Sequence, residues 1–195
     1  EKSGLDILKN MDINNGVQVL DPVFLLNKDH WDKMCIDINC TEKYLLVYDF
    51  DNNLLIKEIA IKISKEKGLK IYTIFKSDYS DKVISQMGPL EFISYIKNAE
   101  FIISNSFHGT AYSLIFEKEF IVTNRVDKIN TRMRDLLSEI GISERLVSNV
   151  DEINYLSKLN YLDIKDNIDN LIKQSKLYLG KVIGEYNEEK DIICN

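Results

Sequence analysis

Hydrophobic positions along the chain alternate between two patterns. Short, near-continuous apolar runs at Tyr44–Tyr48, Leu69–Phe75, Phe101–Ile103 and Phe120–Thr123 predict strands buried on both faces, as in a parallel sheet. Between them apolar residues recur at helical spacing: Leu55, Ile56, Ile59, Ala60 and Ile63; Leu90, Phe92, Ile93, Ile96 and Ala99; Met133, Leu136, Leu137 and Ile140. Gly68 and Gly141 stop the first and last of these helices, and Pro89 opens the middle one. The periphery reads less sharply. Ser3–Asn10 predicts a short helix, Val17–Leu20 a strand ended by Asp21-Pro22, and Lys28–Cys35 a helix capped by Asn27. Leu146-Val147 predicts a last strand, and Asp163 to about Tyr186 a long amphipathic helix whose apolar face Ser175 interrupts.

This alternation predicts an α/β fold, a Rossmann-like parallel sheet with helices on both faces. All strands of such a sheet end on one rim, where ligands bind. Tyr48, Asp49, Phe75, Lys76 and Ser104 to His108 should converge there.

The most informative joint is Phe101 to Glu117, an apolar strand, a small polar turn and a helix beginning near Gly109. A helix entered from a strand's carboxyl end presents unpaired amides, which favour an anion. Ser104, Asn105, Ser106 and Thr110 supply polar side chains around the turn, and Gly109 would let a ligand approach the backbone. His108 is the titratable side chain of the turn and the leading catalytic candidate. The same residues would equally serve as an N-cap beside a surface histidine.

Two further features bear on chemistry. Asp49 and Asp51 form an Asp-x-Asp pair at a strand end, where the cap reading is favoured over a metal site. Arg132 sits in the first turn of its helix, where a cation opposes the dipole and calls for an anion; Asp135 or Glu139 could be a plain surface partner. Arg145 is a second ligand-binding candidate, with a structural salt bridge as its alternative.

Composition narrows the partners. Across 195 residues, 25 basic and 31 acidic side chains give a formal charge of −6, and no basic cluster offers a nucleic-acid footprint. Cys35, Cys40 and Cys194 have no histidine pair to complete a zinc site, so they are read as reduced thiols. The sequence holds no transmembrane run or signal peptide, and a cytoplasmic location is expected.

Asn105-Ser-Phe-His-Gly-Thr-Ala-Tyr-Ser-Leu-Ile-Phe-Glu-Lys-Glu-Phe120, preceded by Gly88-Pro89-Leu-Glu-Phe92 and Asn98-Ala99-Glu100, resembles the signature of the polysaccharide pyruvyl transferase family. Glu1-Lys-Ser-Gly4, Leu20-Asp-Pro-Val-Phe-Leu-Leu26, Asn130-Thr-Arg132, Leu136-Leu137 and Gly141-Ile-Ser-Glu-Arg145 extend the likeness. What the resemblance implies is transfer of a pyruvyl group from phosphoenolpyruvate to a saccharide or lipid-linked saccharide acceptor, giving a ketal, in cell-surface polysaccharide biosynthesis. No cofactor is expected. It also implies a fold like the carboxyl-terminal half of a GT-B enzyme, with residues 1–147 as a donor-binding domain and 148–195 as a helical extension packed on it. On that reading the amino-terminal, acceptor-side half of the polypeptide, with an arginine that commonly precedes Glu1, would be missing here. His108 would act as acid, base or phosphate contact, with Arg132 neutralising the donor. Two other readings are a GT-B glycosyltransferase using a nucleotide sugar and a non-catalytic binding module of the same fold.

Overall fold

In the computed structural model, which describes residues 2–85, 87–125 and 131–184, six strands form one all-parallel sheet. They are β1 (Tyr44–Tyr48), β2 (Lys70–Thr73), β3 (Lys82–Val83), β4 (Phe101–Ser104), β5 (Phe120–Thr123) and β6 (Leu146–Val147), in the order β3-β2-β1-β4-β5-β6. The described helices are α1 (Lys2–Asn10), α2 (Lys28–Met34), α3 (Leu54–Lys67), α4 (Pro89–Asn98), α5 (Phe107–Ile115), α6 (Thr131–Ile140) and α7 (Tyr161–Ile183). The α/β class read from the sequence is borne out. Glu1, Asn130, Cys194 and the chain beyond Gly184, each given a reading above, lie outside the described residues.

Why the strand runs are apolar throughout follows from the layers. Leu46, Ile102, Phe120 and Val122 face a core completed by Ile96 of α4, Ala111 of α5 and Met133 and Leu137 of α6. Leu45, Val47, Ile103 and Ile121 point the other way, onto Ile56, Ile59 and Ile63 of α3. With both faces covered, neither set of alternating side chains reaches water, and each fully buried Ile or Leu contributes about 1.5–3 kcal/mol. Gly68 ends α3 in the left-handed region at φ 66° and Gly141 follows α6 at φ 86°, where a side chain would be strained.

Three expectations are corrected. Val17–Leu20 is not a strand: Val17 is exposed, and the Leu20 amide donates to Ser175 Oγ of α7 at 2.9 Å instead of to a neighbouring strand. Ser175 therefore fastens that segment to α7 instead of merely breaking an apolar face; it is buried and also donates to the Leu171 carbonyl at 2.8 Å. β2 stops at Thr73 because its pairing with β3 runs only from Tyr72 to Thr73, which leaves Phe75 on the rim. The short β3 has two exposed residues and no apolar pattern to announce it. α7 packs back on α6 and on the 3-10 turn Pro22–Leu25. There Tyr161 OH donates to the carbonyls of Lys118 (2.6 Å) and Ser113 (3.2 Å), and burial raises its pKa far above the ordinary phenol value. Among the described residues, no helix is long and apolar enough to cross a membrane.

The strand order fixes where a ligand could sit. β1 continues to β2 on one side, whereas β4 continues to β5 on the other, so the order reverses between β1 and β4. Their carboxyl ends, Tyr48 and Ser104, flank the crevice that such a reversal opens.

Candidate functional site

At this switch point the chain leaves β4 and enters α5 two residues earlier than the periodicity predicts. Ser106 is the N-cap, its Oγ accepting from the Gly109 amide at 3.4 Å. The first-turn amides of Phe107 and His108 thus precede any intrahelical acceptor. Ser104 braces the turn from below: its Oγ donates to the Tyr48 carbonyl (3.1 Å) and accepts from the Ser106 amide (2.9 Å). Thr110 turns inward, donating to the Ser106 carbonyl at 3.0 Å beside Met133 Sδ at 3.3 Å.

Gly109 has a different reason from the one expected. A Cβ there would lie 2.5 Å from Ser104 Oγ and 3.4 Å from the Tyr48 ring, so glycine is required for α5 to close on β4 and β1, not for a ligand to reach the backbone. Ser104, Ser106, Gly109 and Thr110 are buried scaffold of the turn, whereas His108 keeps 51% of its side chain exposed at the helix entrance.

Arg132 comes to the same entrance from the first turn of α6. Its Nη2 donates to Asp21 Oδ2 at 2.8 Å, and its guanidinium lies over the Phe107 ring, Cζ 3.9 Å from the centroid. The anion that the dipole argument asked for is thus Asp21, while Asp135 takes Arg134 instead. Asp21 Oδ2 also stands 3.9 Å from His108 Nε2, and its Oδ1 accepts from the Val23 amide at 3.2 Å, capping the 3-10 turn. With 15% of its side chain exposed, this carboxylate holds Arg132 and faces His108 from a fixed position. A cavity of about 250 Å³ opens beside it, lined by Gln18, Asp21, Phe107, Arg132, Asp135 and Glu139 among others. The acids there are engaged: Gln18 Nε2 donates to both oxygens of Glu139, and the Ser3 amide donates to Asp135. Burial alone would raise the Asp135 pKa, but the Ser3 donors and Arg134 hold it below the usual carboxylate value.

On the β1 side of the switch point, Asp49 is bonded to Asn105. Its Oδ1 accepts from Asn105 Nδ2 (2.7 Å) and the Asp51 amide (3.0 Å), and its Oδ2 from the Asn53 amide (2.7 Å). The N-cap of α3 is Asn53, whose Oδ1 accepts from Leu55 N at 2.9 Å. Asp49 is therefore the anchor of the β1–α3 turn and not itself the cap. Asn105, fully buried, accepts from the Phe50 amide at 3.1 Å and ties the two switch-point turns together. Among the described residues no group of three or more His, Cys, Asp or Glu is placed to hold a metal ion.

Arg145 is not brought to this rim. It precedes the first residue of β6, and Glu119, its partner at 3.2 Å, precedes the first residue of β5. Both belong to the opposite, amino-terminal end of the sheet. The residue that sequence reasoning missed is Asp21, which it took as a boundary before proline; an acid inside one of the segments resembling the family was the available signal. No curated protein matches the chain. The family model described as polysaccharide pyruvyl transferase matches residues 1–127, which takes in Asp21, both switch-point turns and His108. The chain, from its parallel sheet to the capped turn at Ser106, belongs to the polysaccharide pyruvyl transferase family.

Proposed function

We propose that the turn at His108 binds phosphoenolpyruvate and that this chain takes part in transferring its pyruvyl group to a saccharide, in cell-surface polysaccharide biosynthesis. The observation that carries the reading is the meeting of His108 and Arg132 around Asp21 at the start of α5. The donor carries a carboxylate and a phosphate. Amides at a helix start and a guanidinium held flat on Phe107 are suited to two such anions. Asp21 accepts from one edge of that guanidinium and holds it at the entrance of α5.

The chemistry balances with these groups. A proton is delivered to the methylene carbon of the donor, one acceptor hydroxyl adds to the neighbouring carbon, the carbon–phosphate oxygen bond breaks, and a second hydroxyl closes the ketal. One hydroxyl proton ends on the new methyl group and the other leaves with phosphate. Histidine, whose charge ordinarily changes near neutrality, suits the proton-moving role, and Asp21 would orient the imidazole. Residues 1–147 would form the donor-binding unit, with 148–195 as a helical extension on it, and the remaining acceptor contacts would come from an amino-terminal half of the polypeptide.

Calorimetric titration tests the donor assignment. Phosphoenolpyruvate should bind, with Arg132→Ala weakening it by about 1.5–3 kcal/mol, the range for hydrogen bonds to charged groups. Binding of UDP in place of phosphoenolpyruvate would instead support a glycosyltransferase, and affinity for neither would leave a non-catalytic module.

A further inference from the structure

On the β1 side of the switch point lies a group of rings that the donor site does not use. Tyr48, Phe50 and Phe75 pack with centroids 4.6 to 5.9 Å apart, and Phe92 supports Tyr48 from α4 at 5.0 Å. Phe50 and Phe75 nevertheless keep 42% and 44% of their surface exposed. Leaving part of two adjacent phenylalanines wet forgoes part of the 1.5–3 kcal/mol that burying each would contribute. Arg125 lies over the Phe50 ring, its Cζ 4.5 Å from the centroid.

The patch is built into the candidate site. Asn105 accepts from the Phe50 amide through its side chain at 3.1 Å and from Arg125 Nε through its carbonyl at 3.4 Å, and the next residue is the N-cap Ser106. One buried residue therefore sets both the rings and the His108 turn.

We infer that the exposed surface of Phe50 and Phe75, beside the Arg125 guanidinium that lies over Phe50, receives one pyranose ring of the saccharide acceptor. A pyranose has an apolar face of C–H bonds and a rim of hydroxyls. Flat rings match the first, and the guanidinium donors that Asn105 leaves unused match the second. A purely lipidic occupant would have no use for the Arg125 guanidinium beside the rings. The inference rests on the pyruvyl transferase reading for the class of its ligand, and places part of the acceptor site in this chain.

Saturation-transfer NMR, irradiating the aromatic protons, tests it with the methyl β-pyranosides of glucose, galactose and mannose, and with uridine and farnesyl phosphate as other ligand classes. At least one pyranoside should receive saturation on its ring C–H protons. The effect should fall about tenfold in Phe50→Ala, the scale of one aromatic contact, and persist in Phe50→Tyr and His108→Ala. Arg125→Gln, which leaves the rings in place, should weaken it as well. Transfer to none of the three sugars, transfer unchanged in Phe50→Ala with a native circular-dichroism spectrum, or transfer to uridine or farnesyl phosphate alone overturns the inference. Phosphoenolpyruvate affinity, measured separately, should be unchanged in Phe50→Ala. Its absence in the unmutated protein would sink the donor reading without touching this result.

Discussion

Replacing His108 with alanine is expected to lower pyruvyl transfer by about 10²–10⁴-fold, the usual contribution of a positioned acid or base. The fold should survive, because half of the side chain is exposed and its neighbours at the entrance are Asp21 and the edge of Phe107. Steady-state kinetics separate the roles open to the imidazole. If it moves a proton, kcat falls with little change in KM; if it only holds phosphate, KM rises and kcat is preserved. Full activity of a folded His108→Ala enzyme would remove the residue from the mechanism.

Arg145→Ala should produce the largest loss of stability. Its side chain is 2% exposed, with Nη1 donating to Glu119 and to the Phe120 carbonyl and Nη2 to the Ser157 carbonyl at 2.6 Å. Glu119 in turn accepts from the Leu159 amide, so one ion pair clamps the start of β5 to the segment leading into α7. Its Nε has no hydrogen-bond partner but stands 4.0 Å from the Glu144 carboxylate. Truncation would leave Glu119 half-buried and unpaired. Removing one member of a buried pair costs about 3–5 kcal/mol, which for a chain of this size lowers Tm by roughly 10 °C. Thermal unfolding followed by circular dichroism measures it, and phosphoenolpyruvate affinity below the transition should be unchanged. A loss of affinity without a fall in Tm would return Arg145 to the ligand site.

Much of the fold was legible because its core strands are covered on both faces. At β1 and β5 the predicted and observed bounds coincide, since a run such as Tyr44–Tyr48 has no polar position to blur its ends, and α6 stops where Gly141 was read to stop it. Beyond the core the local signal fails. Val17–Leu20 has strand-like residues but is fastened to α7 through Ser175, and Lys82–Val83 is a strand only through its pairing with β2. At the site, the turn and His108 follow from local sequence, but their surroundings do not. Asp21 reaches Arg132 across 111 positions, and nothing near either residue specifies the contact. Gly109 illustrates a different limit: a close approach is foreseeable from glycine, but whether strand or ligand makes it depends on Ser104 and Tyr48 in space.

The most direct test is to titrate ¹⁵N-labelled protein with phosphoenolpyruvate and follow the backbone amides together with the His108 ring. The account predicts that Phe107 and His108 amides and the imidazole shift first and furthest, with Arg132 Nε following and the Arg145 environment still. Saturable binding whose shifts bypass the entrance of α5, or gather at the amino-terminal end of the sheet, would contradict it.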